Sequence, residues 1–125
     1  MTPTTQPRGQ VTPAQLDAAA ATFDLLSVPG RLHLVWLLAD AEHDVTTLAA
    51  LTGASIPAVS QQLAKLRAAG ILTARRHGRR QIYRLGDPHI LTIITAMFSH
   101  IAPDGTLPPG PDPRRPPRRP RFAPT

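Results

Sequence analysis

The sequence lacks cysteine and any long apolar run, and each absence excludes a class of function. Without cysteine there are no disulfides, thiolate metal sites or cysteine nucleophiles. No apolar stretch approaches the roughly 20 residues that a membrane span needs, and the first residues have no signal-peptide core. We therefore expect a cytoplasmic protein with no membrane contact. The 125 residues suit one small domain, which would bury more apolar surface by pairing with a second copy.

Acidic residues are also absent from one continuous block of the chain. Seven basic and no acidic residues lie between Ser55 and Arg84, whereas two bases face five acids in residues 1–54. Solvated faces usually mix charges of both signs, so a block of this kind is more typical of a surface that binds a polyanion. The charge pattern therefore indicates a nucleic-acid-binding surface in residues 55–84.

The spacing of apolar residues, prolines and glycines predicts a mainly α domain with a small β-hairpin. The first helix begins at Pro13 and ends near Leu26, the second begins at Pro29, and the last runs from Pro88 to about Ile101. This domain covers residues 13–102. The polar residues 1–12 are predicted to be a mobile arm, and residues 103–125, rich in proline and arginine, a disordered tail.

The middle of the chain predicts a winged helix-turn-helix. A short third helix, a turn at Gly53 and a fourth helix capped by Ser55 form the helix-turn-helix. Two β-prone runs, residues 71–75 and 81–85, follow around a glycine turn and predict a hairpin with a cationic tip. A hairpin placed directly after a helix-turn-helix is a wing.

The fourth helix predicts a DNA-reading face. If Val59, Leu63 and Leu66 point inward, the outward side chains are short and polar, and such side chains can reach base edges or phosphates in a major groove. Arginines of the wing would lie along the backbone or enter a minor groove, and so position the protein. Ordinary helix-surface polarity is the alternative interpretation of each glutamine alone. The residues predicted to bind DNA are Ser55, Ala58, Ser60, Gln61, Gln62, Lys65, Arg75, Arg76, Arg79 and Arg80.

Three stretches resemble the ArsR/SmtB family of bacterial metal-responsive repressors, and the resemblance covers about residues 13–101. They are residues 26–32 (LSVPGRL), 59–72 (VSQQLAKLRAAGIL) and 76–85 (RHGRRQIYRL). The resemblance implies a homodimer built from the first and last helices. It also implies a promoter that is repressed by the apo form and released when an inducer binds. The apolar residues predicted to form the dimer interface are Leu16, Phe23, Ile94, Met97, Phe98 and Ile101.

The last helix carries three candidate metal ligands, Asp87, His89 and His100. The two histidines are eleven residues apart, so they share a helix face but lie about 16 Å apart along the axis. Because a metal needs donor atoms about 2 Å away, one helix cannot close this site. Two antiparallel copies can, when Asp87 and His89 of one helix meet His100 of the other.

The pattern is similar to the family's last-helix metal site, which uses an Asp-x-His pair and a histidine eleven residues on. The family's fourth ligand usually lies three residues further, where this chain has Pro103, so Asp104 or a water would take its place. Imidazole and carboxylate suit nickel, zinc and cobalt alike. The family's thiolate site near the third helix is absent, since residues 46–51 contain no cysteine.

Other interpretations stay open. Asp87 is also explained as a helix N-cap, His100 as a favourable charge at a helix C-terminus, and His89 as a surface residue. The closest alternative is a DNA-binding regulator that senses no metal and is controlled by a partner protein or an organic ligand. A second is an interaction protein whose proline-arginine tail docks in aromatic grooves. An enzyme is not expected, because the sequence has no nucleophile-base pattern and no phosphate-binding loop.

Overall fold

The computed structural model describes residues 9–110 and Arg114. Five helices and three strands follow one another along this part of the chain. They are α1 (Pro13–Leu26), α2 (Pro29–Asp40), β1 (His43–Asp44), α3 (Val45–Thr52), α4 (Ile56–Ala68), β2 (Leu72–His77), β3 (Arg80–Leu85) and α5 (Pro88–His100). The predicted mainly α fold with a hairpin is confirmed.

Capping residues and prolines mark the starts of the helices. The Thr12 hydroxyl accepts a hydrogen bond from the backbone amide of Gln15, and the Gln15 side chain accepts one from the Thr12 amide. This reciprocal capping box satisfies two amides that have no partner inside the helix. Asp87 caps α5 just before Pro88, which fits the first turn because proline lacks an amide hydrogen. The predicted starts of α1, α2 and α5 are therefore confirmed.

The wing is part of a three-stranded antiparallel sheet rather than an isolated hairpin. Strands β2 and β3 pair around a two-residue loop in which Gly78 has φ of +64°, a conformation that glycine adopts without strain. The short strand β1 adds to the other edge of β3, where Asp44 pairs with Ile82. Pairing with β3 makes the residues before α3 a strand and joins the wing to the helix-turn-helix.

The core lies where α2, α3, α4 and α5 meet the sheet. Its most deeply buried side chains come from α2, α3, α4 and β2: Leu34, Val35, Leu48, Val59, Leu63, Leu66 and Leu72. Ile94 of α5 also belongs to this core, with only 2% of its surface exposed. The prediction that Ile94 lies in the dimer interface is corrected, because a side chain already buried in its own protomer has almost no surface left to bury.

Helix α1 and the outer face of α5 leave large apolar side chains in solvent. Of the fourteen residues of α1, only Leu26 is buried, while Leu16 and Phe23 are each 58% exposed. Met97 and Phe98 are exposed on α5, and Ile101 just after it is half-buried. The Phe98 ring meets Trp36 of α2 edge-on, with ring centroids 4.9 Å apart. We call the exposed apolar side chains of these two helices, Leu16, Phe23, Met97 and Phe98, the α1/α5 face.

The chain ends are described only in part. Residues 1–8 of the predicted arm, and residues 111–113 and 115–125 of the predicted tail, lie outside the described residues. Residues 103–110 are exposed, and the tail begins with a turn in which the Ala102 amide donates to the Thr106 carbonyl. No helix in the described part of the chain is both long and apolar enough to span a membrane.

Candidate nucleic-acid interface

Helix α4 is held by one apolar stripe, and this fixes which of its side chains face solvent. Val59, Leu63 and Leu66 are all buried in the core. The opposite face carries exposed side chains that can hydrogen-bond or approach a base closely. They are Ala58, Ser60, Gln61 and Lys65. Ser55 lies at the start of the helix, and its hydroxyl accepts a hydrogen bond from the Ala58 amide at 3.3 Å.

Gln62 is not on this outward face. It lies three residues after Val59, which brings it to the edge of the buried stripe. Its side-chain amide packs against Gly30 at the start of α2, so closely that a Cβ on Gly30 would lie 3.1 Å from Nε2. This contact favours Gln61 over Gln62 as the residue that reads bases, and a base contact of Gln62 stays a prediction.

Ile56 is a surface residue that sequence analysis did not single out. It is the first residue of α4 and is 47% exposed, next to the Ser55 cap. Residues at the start of a recognition helix are those that contact base edges, and an apolar side chain there can touch a thymine methyl. The signal was present in the sequence, because the position follows directly from the predicted cap.

Two of the four wing arginines form ion pairs with the acidic segment before α3. Arg75 donates through Nη2 to Glu42 at 2.8 Å, and this contact lowers the pKa of Glu42. Arg80 donates through Nε to Asp44 at 2.6 Å. Arg76 and Arg79 are exposed and make no ion pair within the described residues. All four arginines keep exposed surface at the wing, but only Arg76 and Arg79 are without an acidic partner in that part of the chain.

The Asp44 carboxylate is mostly buried and makes contacts through both of its oxygens. Oδ1 accepts the backbone amide of Thr47 at 2.8 Å and so caps α3, while Oδ2 accepts Arg80. Hydrogen bonds from Thr47 are the largest cause that lowers the pKa of Asp44 to about 2, and Arg80 adds to it. Asp44 is therefore charged at neutral pH and links the helix-turn-helix to the wing.

The predicted metal ligands lie at the two ends of α5. Asp87 Oδ1 accepts a hydrogen bond from the His89 backbone amide at 2.9 Å and lies 3.2 Å from His89 Nδ1. The hydrogen bond from this amide is the largest cause that lowers the pKa of Asp87. The His89 ring is 91% exposed. His100 is exposed near the last turn of the helix, and Asp104 accepts a hydrogen bond from the Thr106 amide.

One protomer does not bring these ligands together. Across residues 9–110, no three histidine or acidic side chains lie close enough to hold a metal ion. The donor set itself fits a divalent transition metal, because the chain offers a carboxylate and an imidazole at one end of α5 and an imidazole at the other. A site on α5 therefore needs a second copy of the helix.

A helix-turn-helix with an outward second helix, followed by a basic hairpin, defines a winged helix-turn-helix protein. This is a class of DNA-binding transcriptional regulators and not of enzymes. Residues 28–74 match the family described as bacterial regulatory protein, arsR family. The chain is 34% identical to the AntR antimony-specific transcriptional repressor, with a TM-score of 0.69 over 79% of this chain and 90% of that one. The chain belongs to the arsR family of bacterial regulatory proteins.

Two further relatives are similar to this chain over most of its length. A fragment of Mb0332 from Mycobacterium bovis, described as a homodimeric winged helix-turn-helix DNA-binding domain, is 30% identical with a TM-score of 0.65, covering 74% of this chain and 88% of the fragment. KmtR of Mycobacterium tuberculosis, an HTH-type transcriptional regulator, is 38% identical over 86 residues, which is 68% of this chain. The match spans 66% of the length of KmtR, so a third of that regulator has no counterpart in it.

We expect Asp44 to make stability depend on pH in acid. Its pKa is lowered from 3.8 to about 2 in the folded protein, so the stabilisation is complete above about pH 4 and is lost as the pH falls towards 2. Urea unfolding followed by circular dichroism should therefore give a smaller decrease in the free energy of unfolding across this range for Asp44→Asn than for wild type. The control Asp17→Asn, which removes an exposed carboxylate of α1, should keep the wild-type decrease. Equal pH dependence in wild type and Asp44→Asn would contradict this assignment.

Proposed function

We propose that this protein is a homodimeric transcriptional repressor that places α4 in the major groove of double-stranded DNA. The observation that carries the proposal is the combination of an outward polar face on α4 with the basic wing beside it. Gln61 and Lys65 reach base edges or phosphates, and Ala58 allows close approach. Arg76 and Arg79 contact the sugar-phosphate backbone and so set the register of the protein on the duplex.

The α1/α5 face supports the homodimer. Leu16, Phe23, Met97 and Phe98 are all large apolar side chains exposed on two helices, and exposed apolar surface of this extent is typical of an interface. A second copy of the chain covers it through α1 and α5. The relative Mb0332 is described as homodimeric, which supports the same assembly. Two copies also present two recognition helices to a palindromic site.

We further propose that a divalent metal, nickel, zinc or cobalt, binds between the two copies of α5. Asp87 and His89 of one protomer and His100 of the other would hold it, with Asp104 or a water as the fourth ligand. Asp87 Oδ1 and His89 Nδ1 lie 3.2 Å apart in the protomer, a separation that two ligands about 2 Å from one ion have. When bound, the metal supplies the signal for release from DNA. The relative AntR is described as antimony-specific, which supports an inorganic inducer.

A groove between α2 and α5 favours a second candidate, control by an organic effector instead of a metal. The groove has a volume of about 420 Å³, and its lining is mostly apolar with one carboxylate at the edge. The lining residues are Trp36, Leu37, Ala39, Asp40, Leu91 and Thr95. This candidate keeps the DNA binding and changes only the inducer, and a protein co-regulator is the other alternative.

Gln61 and Gln62 form a matched pair that tests base reading. Duplexes are first selected from a randomised pool by the wild-type protein, and affinities for a selected and a scrambled duplex are then measured by anisotropy at one salt concentration. Gln61→Ala should weaken the selected duplex about 5- to 100-fold and the scrambled one much less, because a bidentate base contact is lost. Gln62→Ala should affect both duplexes equally, since Gln62 packs against α2. Loss of sequence preference in Gln62→Ala alone would contradict the proposed reading face.

Calorimetric titration with nickel and zinc tests the shared metal site. Wild type should bind one ion per chain, and His89→Ala and His100→Ala should each lose this binding because every site uses both histidines. Mixing the two variants restores one complete site in each mixed dimer, which a site within one chain would not allow. His33→Ala, an exposed histidine of α2, serves as the control. Wild-type binding in either single variant would exclude the α5 site and favour another effector.

A further inference from the structure

We propose that Asp44 is a positioning residue for DNA binding, because it holds the wing residue Arg80 ready to contact a phosphate. The inference rests on the proposed DNA binding and adds to it an acidic residue that strengthens binding. Asp44 ends β1, pairs with Ile82 of β3 and caps α3. It therefore lies where the wing meets the helix-turn-helix.

The two oxygens of Asp44 hold two different elements. Oδ1 is fixed by the Thr47 amide at the start of α3, and Oδ2 accepts Arg80 Nε from the first residue of β3. The Asp44 side chain is only 12% exposed, so its carboxylate has little contact with water. Because one carboxylate oxygen is anchored at α3, the other oxygen holds the Arg80 guanidinium in a fixed position. Asp44 thus couples the wing to the helix-turn-helix.

The geometry of the contact leaves the DNA-binding end of Arg80 available. Arg80 uses Nε for Asp44, so both terminal nitrogens can donate to a phosphate, and the side chain is 59% exposed. An arginine that is already ordered loses less conformational entropy when it binds. Arg80 is therefore arranged to bind a phosphate while Asp44 holds it.

The neighbouring ion pair lacks these properties. Arg75 gives its terminal Nη2 to Glu42, and both side chains of the pair are largely exposed. Glu42 caps no helix, and an exposed pair of this kind is weak and easily screened. The positioning role therefore belongs to Asp44 and not to the acidic segment as a whole.

Substitution of Asp44 by Asn separates this role from simple charge repulsion. Asn retains the ability to cap α3 but loses the ion pair. Removing a negative charge near DNA would by itself strengthen binding, whereas the positioning role predicts that Asp44→Asn binds about tenfold more weakly. The plot of the logarithm of the DNA-binding constant against the logarithm of the salt concentration should become less steep by about 0.9 for each wing that loses its phosphate contact. Glu42→Gln removes the neighbouring exposed acid, and the affinity of this variant should be unchanged or slightly higher.

A double-mutant cycle shows whether Asp44 acts through Arg80. Arg80→Ala should weaken binding by a similar factor, and adding Asp44→Asn to it should cause no further loss. Thermal unfolding of each variant checks the fold, and Asp44→Ser, which also caps a helix, provides a second variant. Unchanged or tighter binding by Asp44→Asn, or additive losses in the double variant, would overturn the inference. If wild type binds no duplex at any salt concentration, the proposed function itself is wrong.

Discussion

The structure depends on the burial of one stripe of α4. Val59, Leu63 and Leu66 are buried against the neighbouring helices and the sheet, and each contributes on the order of 2 kcal/mol by leaving water. Because these three positions recur every three or four residues, their burial fixes the rotation of the helix about its axis. Gln61 and Lys65 consequently face outward, and Gln62 turns to α2. The same burial places the end of α4 beside β2, which sets where the wing begins.

What remains exposed follows from the small size of the domain. A core built around α4 leaves α1 with a single buried residue, Leu26, and leaves the outer face of α5 open. In the proposed dimer, two antiparallel α5 helices would bring their separated ends together. The proposed dimer would thus bury the α1/α5 face and set the distance between two recognition helices. It would also complete the metal site formed by Asp87, His89 and His100.

The sequence predicts features that depend on neighbours a few residues apart. The cap at Thr12 uses Gln15, and the cap at Asp87 uses the amide of His89, so both are visible in a short window. Contacts between distant segments were missed: Asp44 and Arg80 are 36 residues apart, and the strand β1 exists only because β3 lies beside it. The contact of Gln62 with Gly30 was missed for the same reason, because Gly30 belongs to another helix.

The central claim is that a second copy of the chain covers the α1/α5 face and that sequence-specific DNA binding needs this dimer. Counting the chains in solution and on DNA tests this claim most directly. Sedimentation of wild type alone and with a selected duplex should give two chains in both cases. Phe23→Lys places a charge on the exposed α1 surface without touching the core, and it should give a folded monomer that binds the duplex far more weakly. A wild-type monomer that binds the duplex singly, with unchanged affinity in Phe23→Lys, would contradict the account.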